Sequence, residues 1–452
     1  MTRRKSGVRV PRADNRGMHP CHLLPLLLLA CAPAAQDRAT RVRNDRQQVV
    51  AHGQWIYDDL ERGLAEARQS GKPLVVVLRC IPCEACRGFD EQVAELDPRL
   101  RELLERFVRV RIPKANGLDL GLFQQDWDVS FSALFLAADR TVYGRFGSRV
   151  TQQDKAGDAS VGAFREALEA VLDLHARQAA VRDALAGKRP GAPRHPVPEQ
   201  YPALAQYQPQ LDWDGKVVQS CIHCHQIRGA EFETWRARKE PIPERTLFAW
   251  PEPAVLGLEL DPARRARVLR VTDGSAAAQA GFRAGDDLRS LAGQPLVSIA
   301  DVCWVLETAG ESGTLAAQVL RDGKDLALQL PLAPGWRARG DISWRATTWD
   351  LRRIVLGGMF LVEATDAERK ELGVTADQLA LRAQHVGEYG QHATALRAGA
   401  RKGDFVVAVD GHKERRSESQ LIAALQRRAP GAKVEFTLRR GKEELTVGFA
   451  LQ

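Results

Sequence analysis

The second half of the chain repeats itself. Ala280-Gly281-Phe-Arg-Ala-Gly285-Asp286 matches Ala398-Gly399-Ala-Arg-Lys-Gly403-Asp404 at an offset of 118 residues. Gly293 and Gly411, Gly313 and Gly431, and Arg-Asp-Gly323-Lys324 and Arg-Arg-Gly441-Lys442 keep that offset. Repeats of solenoids and propellers run about 20–50 residues, so a period this long requires a duplicated domain. The glycines suit turns that need positive φ, and Asp286 and Asp404 suit hydrogen bonding to a turn backbone. With 452 residues in all, two such copies leave room for another domain, in keeping with about three for this length.

The net charge of +8 invites a nucleic-acid reading, but its distribution opposes one. The first 22 residues hold Arg3, Arg4, Lys5, Arg9, Arg12 and Arg16 against Asp14, which leaves +3 for all the rest. A nucleic-acid binder concentrates basic charge in its folded part; none is expected as a partner. The basic stretch runs into Leu23-Leu-Pro-Leu-Leu-Leu-Leu-Ala30 and then Cys31-Ala-Pro-Ala-Ala35. A basic region, a short apolar core and small residues read as a secretory signal over 1–35, with export to the periplasm or envelope. Leu29-Ala30-Cys31 also fits a lipoprotein cleavage box, so cleaved secretion and a lipid anchor on Cys31 are both open. That anchor is the one membrane contact expected, because no apolar run reaches 18 residues.

Residues 50–180 alternate helix and strand. Ile56, Leu60, Leu64 and Ala67 recur at helical spacing, and Gly71-Lys72-Pro73 ends that segment. Leu74-Val-Val-Val-Leu78 is a short β-branched run of the kind buried on both faces of a sheet. Asp97-Pro98 opens a helix through Leu104, Phe107–Ile112 alternates as a strand, and Ala133–Leu136 and Thr141–Tyr143 flank an Asp139-Arg140 turn. A last helix carries Phe164, Leu168, Val171, Leu172 and His175 on one face. Five prolines between Lys188 and Pro202 then predict a semi-rigid linker over 181–205.

Five of the six cysteines beyond the signal fall into two clusters, a pattern of redox or cofactor chemistry rather than of dispersed disulfides. Cys80-Ile-Pro-Cys83-Glu-Ala-Cys86 follows the apolar strand and runs into a predicted helix. With Lys72-Pro73 and that strand, it makes residues 50–180 resemble a thioredoxin-like domain. The resemblance implies Cys83 as the attacking thiol, favoured as thiolate at a helix N-terminus, and Cys86 as the resolving thiol. Cys80 departs from the family pattern and offers Cys80–Cys83 as an alternative pair. A structural disulfide or a three-cysteine metal site is the other reading. The family's cis-proline facing the thiols has no counterpart in Val129-Ser-Phe-Ser-Ala133.

Residues 206–252 carry Cys221-Ile-His-Cys224-His225, the spacing of c-type haem attachment with two thioethers and a proximal histidine. A covalent haem held by Cys221, Cys224 and His225, a bare thiol pair, and a zinc site that adds His223 are the three readings.

The two copies, over 253–334 and 355–452, resemble PDZ domains of bacterial periplasmic type, separated by a Trp-rich insert at 335–354. A PDZ domain adds an extended peptide to a sheet edge, beside a loop whose N–H groups hold a terminal carboxylate. Leu256-Gly257-Leu258 fits that loop in the first copy and Gly358-Met359-Phe360 in the second; the insert is placed to cover one edge. Cys303 is expected as a core thiol. The whole order is similar to a bacterial group of thioredoxin-like/PDZ-domain (seleno)proteins, in which selenocysteine can replace a cysteine of the redox cluster. The expected fold class is therefore multidomain α/β plus β-rich, a thioredoxin-like domain followed by two PDZ domains. The expected function is exported thiol–disulfide redox chemistry on protein or peptide partners. The alternative is a non-catalytic envelope scaffold with structural cysteines. No Gly-x-Ser-x-Gly motif supports a serine protease.

Overall fold

A computed structural model describes residues 37–79, 98–129, 131–148, 160–189 and 191–452. The signal region, Cys31, and the cluster of Cys80, Cys83 and Cys86 lie outside the described residues.

The α/β unit begins with α1 (Arg38–His52), β1 (Ile56–Tyr57), α2 (Leu60–Ser70), β2 (Leu74–Leu78) and α3 (Pro98–Leu104). It continues with β3 (Val108–Ile112), β4 (Phe131–Leu136), β5 (Val142–Ser148), α4 (Val161–Ala176) and α5 (Gln178–Ala186). Its sheet has the order β1-β3-β2-β4-β5. β1 and β2 run parallel to β3, and β4 and β5 are antiparallel additions. All five residues of β2 are buried, as an apolar run covered on both faces must be. Leu74, Val76 and Leu78 face one core, and Val75 and Val77 the other. The helix predicted through Ile56, Leu60, Leu64 and Ala67 starts later, at Leu60. Asp59 caps Leu60–Ser70 by accepting from the Arg62 N–H at 2.9 Å, and Ile56 pairs with Val110 in β1 instead. Gly71, at φ 68°, closes α2 in the left-handed conformation.

The proline-rich stretch does not run free as a spacer. Pro198 and Pro202 each open a 3-10 turn, where a missing N–H costs nothing. Tyr201 and Leu204 join the core that holds Leu74 and Val76, and the Pro196 carbonyl accepts from the Leu120 N–H at 2.9 Å. The next segment is no separate domain either: α6 (Cys224–Ala237) buries Ile227 and Ala230 in the same core.

The first copy comprises β6 (Leu258–Leu260), β7 (Val268–Val271), β8 (Asp287–Leu291), β9 (Gln294–Pro295), α7 (Ile299–Thr308), β10 (Gly313–Arg321) and β11 (Lys324–Leu332). They form the sheets β6-β7 and β11-β10-β8-β9. The insert contributes α8 (Thr348–Val355). The second copy has β12 (Met359–Glu363), α9 (Asp366–Leu372), β13 (Leu381–Val386), β14 (Phe405–Val409), α10 (Glu418–Leu425), β15 (Lys433–Arg440) and β16 (Glu443–Ala450), in one sheet of that strand order.

The duplication is physical. In the first copy Arg321 binds the buried Asp286 through Nε at 2.6 Å and donates to the Gly281 carbonyl at 2.8 Å. In the second, Arg440 binds Asp404 at 2.8 Å and donates to the Gly399 carbonyl at 2.8 Å. The ungapped alignment pairs Arg321 with Arg439, but the structure uses Arg440. Ser298 and Ser417 both cap the helix that follows, so the second copy carries one extra residue between Gly411 and Ser417.

Candidate functional site

Burial separates the two thiols of the Cys221–His225 segment. Cys221 is 4% exposed and packs with Val42, Leu211 and Val217. Its Sγ faces the Ile222 carbonyl at 3.6 Å. Burial pushes this thiol up to about 12; Lys114 pulls it down a little and Asp58 adds to the rise. Cys224 is the first residue of α6, where unpaired N–H groups and the helix dipole favour a thiolate. His223 caps that helix, with Gln226 reaching back to the His223 N–H at 2.7 Å. The His223 and His225 rings stack 5.8 Å apart, and burial, followed by His225 and Arg38, lowers the pKa of His223.

A c-type haem needs both sulfurs and the His225 imidazole on one macrocycle. His225 lines a groove of about 410 Å³ between α6 and α8, walled also by Ala203, Gly229, Thr347 and Asp350. Neither cysteine lines it: Cys221 is packed in its own cluster and Cys224 lies against the α/β core. As folded, these residues do not fit the group. Among the described residues no three His, Cys, Asp or Glu side chains converge on a metal position.

The two predicted peptide-binding loops fare differently. In the second copy the insert fills the site. The Gly358 and Met359 N–H groups donate to the carbonyls of Arg352 and Leu356, at 3.0 and 3.1 Å. Met359 is fully buried, and Phe360 packs edge-on against Trp349 at 5.8 Å. Arg352 makes a bidentate pair with Glu418 on α10, and the same carboxylate accepts from the Leu361 N–H at 2.7 Å. The donors that this loop was expected to offer a ligand are therefore bonded within the chain.

The first copy is open. Leu256, Gly257 and Leu258 are buried, with Gly257 at φ 79° ending a 3-10 turn that begins after Glu252. The Gly257 N–H is bonded to the Ala254 carbonyl at 2.9 Å. Beyond the loop, β6 pairs with β7 alone among the described strands. Its other side looks onto a cavity of about 410 Å³ walled by Leu258 and Leu260 and by Ile299, Ala300 and Cys303 of α7. Cys303 is thus on the cavity wall, half-buried, rather than wholly within the core. Burial raises its thiol, and Glu252 and Asp126 add to the rise.

The far wall of that cavity belongs to the α/β unit, through Val129, Ser132, Ala133, Phe146 and Gly147. Sequence reading did not find this juxtaposition, because the residues that fix it look unremarkable. Lys188, inside the proline-rich stretch, is fully buried and binds Asp301 of α7 at 2.7 Å. Asp301 also accepts from the N–H groups of Arg145 (3.0 Å) and Val297 (2.9 Å). Trp304 donates to the Gly187 carbonyl at 3.1 Å, and Arg145 lies 4.0 Å over the Trp304 ring. From the insert, Arg345 reaches Asp126 at 2.6 Å. The only sequence signal was chemical: a lysine between helix and prolines, and an aspartate in the first turn of a mostly apolar helix.

Comparison with known proteins agrees with this division. A thioredoxin-like family model matches residues 55–138, and a PDZ-domain model matches residues 254–332. Among solved structures, the serine endoprotease from Yersinia pestis is 26% identical over 15% of this chain and 24% of its own, with a TM-score of 0.14. The chain thus spans about a quarter of that protein's length. No curated protein matches the sequence. The chain contains a thioredoxin-like domain followed by a PDZ domain, in a multidomain α/β and β-rich fold.

Proposed function

We propose that the protein is an exported thiol–disulfide oxidoreductase that acts on polypeptide partners held by its PDZ domain. The observation that carries this reading is the thioredoxin-like match over 55–138, which spans Cys80, Cys83 and Cys86 directly after β2. The Cys83 thiolate attacks a substrate disulfide and expels one substrate thiolate, which takes up a proton. Cys86 then attacks the mixed disulfide, releasing the second substrate thiol and leaving Cys83–Cys86 oxidised. Two electrons pass to the substrate, and an external dithiol restores the reduced pair. Residues 355–452, which share the Asp–Arg clamp of the first copy, are a second PDZ-like domain closed by its own insert. Export rests on the basic and leucine-rich N-terminus, with Cys31 as the lipid-anchor residue if that cleavage box is used.

The test is turnover of a small aromatic disulfide with dithiothreitol as reductant. Cys83→Ser is expected to abolish turnover and Cys86→Ser to trap the mixed disulfide; full turnover by Cys83→Ser removes the proposed nucleophile. The haem reading rests on the Cys221-x-x-Cys224-His225 spacing alone. It is tested by the intact mass of protein exported from a host equipped for haem attachment: an adduct lost in Cys221→Ala restores it, and unmodified mass is expected.

A further inference from the structure

We infer that the cavity between the PDZ domain and the thioredoxin-like domain is one composite site for an extended internal stretch of polypeptide, with β4 and β5 as its second wall. The inference deepens the peptide-recruitment part of the proposed function and rests on it.

Three observations carry it. First, β6 has a backbone edge with no strand partner among the described residues, and its buried Leu258 and Leu260 alternate with Glu259. A chain added to such an edge takes the extended conformation and presents alternate side chains to one face. Three strand residues span about 10 Å, enough to fix three or four residues of a ligand. Second, the wall opposite is the thioredoxin-like domain. The joint between the two is not loose, because the Lys188–Asp301 pair at its centre is excluded from water. A segment lying on β6 therefore touches Val129 on one side and the exposed Leu269 on the other, both of which line the cavity. Leu258, Leu260 and Leu269 on one side and Val129, Ala133 and Phe146 on the other select aliphatic side chains.

Third, the end of the groove where a terminal carboxylate would sit is hostile to one. Glu252 begins the turn that leads into Leu256-Gly257-Leu258 and lines the cavity; Asp126 lines it too but is neutralised by Arg345. The Gly257 N–H already caps that turn, so it has no hydrogen to offer a carboxylate. A like charge beside a desolvated carboxylate is repelled, whereas a continuing peptide bond is not. The occupant is thus the interior of a chain, not its C-terminus.

The probe is a fluorescein-labelled nine-residue peptide with leucine at alternate positions and no cysteine, made as acetylated amide and as free acid. Anisotropy is read on the full chain. The amide is expected to bind saturably, and the free acid no more tightly. Leu269→Asp on the PDZ wall and Val129→Asp on the thioredoxin-like wall are each expected to weaken binding at least about tenfold. Glu252→Gln is expected to raise free-acid affinity relative to amide by about threefold. This variant changes no volume and serves if Val129→Asp lowers the melting temperature. No saturable binding, a free acid preferred by about tenfold, or full affinity in folded Val129→Asp overturns the inference. Because the probe lacks a cysteine, loss of disulfide turnover in Cys83→Ser leaves the anisotropy result intact, so the two failures are distinct.

Discussion

Cys221 and Cys224 lie three residues apart, yet Cys221 is buried in an apolar cluster while Cys224 opens a helix. A thiol pushed up to about 12 by burial has a thiolate fraction of about 10⁻⁴ at pH 8. Native Cys221 is therefore expected to react with iodoacetamide at least about a hundredfold more slowly than in guanidinium chloride, where its ordinary pKa returns. The rate should climb as pH rises toward 12, and peptide mapping by mass spectrometry reads it. Equal rates in both states would show Cys221 to be accessible and a plausible redox partner of Cys224. Lys188 gives the second residue-scale prediction. Asp301→Ala leaves an ammonium fully out of water and removes the acceptor of two backbone N–H groups. The expected loss is about 3–5 kcal/mol of unfolding free energy, read by urea denaturation. The sequence showed the cysteine spacing but not this difference in burial. It did not show that Lys188 and Asp301 pair, since they stand 113 residues apart.

At the scale of elements, what could be read was what local chemistry dictates. β2 was legible because five apolar residues admit one environment, and the duplication was legible because turns at positive φ hold glycine in both copies. The one-residue shift between copies was not, because Arg439 and Arg440 both satisfy the pattern and strand register alone decides between them. Arg440 pairs with Glu443 across the hairpin, and Arg321 with Lys324. The insert was expected to cover one edge, but which groove it closes was hidden, because that depends on which copy α8 packs against. Glu418 ties α8 to β12 through Arg352 and Leu361. Glu418→Ala is expected to cost the second copy about 3–5 kcal/mol, since it strands a buried guanidinium. Hydrogen exchange should then quicken at Leu361 and across 348–355 while 258–332 keeps its protection. Uniformly faster exchange in both copies would mean that they do not unfold as separate units.

For the molecule as a whole, the decisive contact is α7 of the PDZ domain against β5 of the thioredoxin-like sheet. Gly144 on β5 permits it. A Cβ at Gly144 would stand 2.2 Å from Val297 Cγ2 and 2.6 Å from Asp301 Oδ2, while one at Gly147 would meet Ala300 Cβ at 3.9 Å. Gly144 has no left-handed backbone to preserve, so Gly144→Ala acts through space alone. It cannot be absorbed by a rotamer change, because Asp301 is held by Lys188 and two amides. The helix must lift, at an expected cost of about 1–3 kcal/mol concentrated at the domain joint. Lifting α7 widens the cavity and pulls the two walls apart, which couples this test to function. In Gly144→Ala, hydrogen exchange at 297–301 and 142–148 is expected to accelerate, and the leucine-bearing amide peptide to lose affinity. Turnover of a small disulfide, which needs no second wall, should stay unchanged. A variant that lifts the helix yet keeps peptide affinity would make the PDZ groove self-sufficient, and the close docking a matter of stability alone.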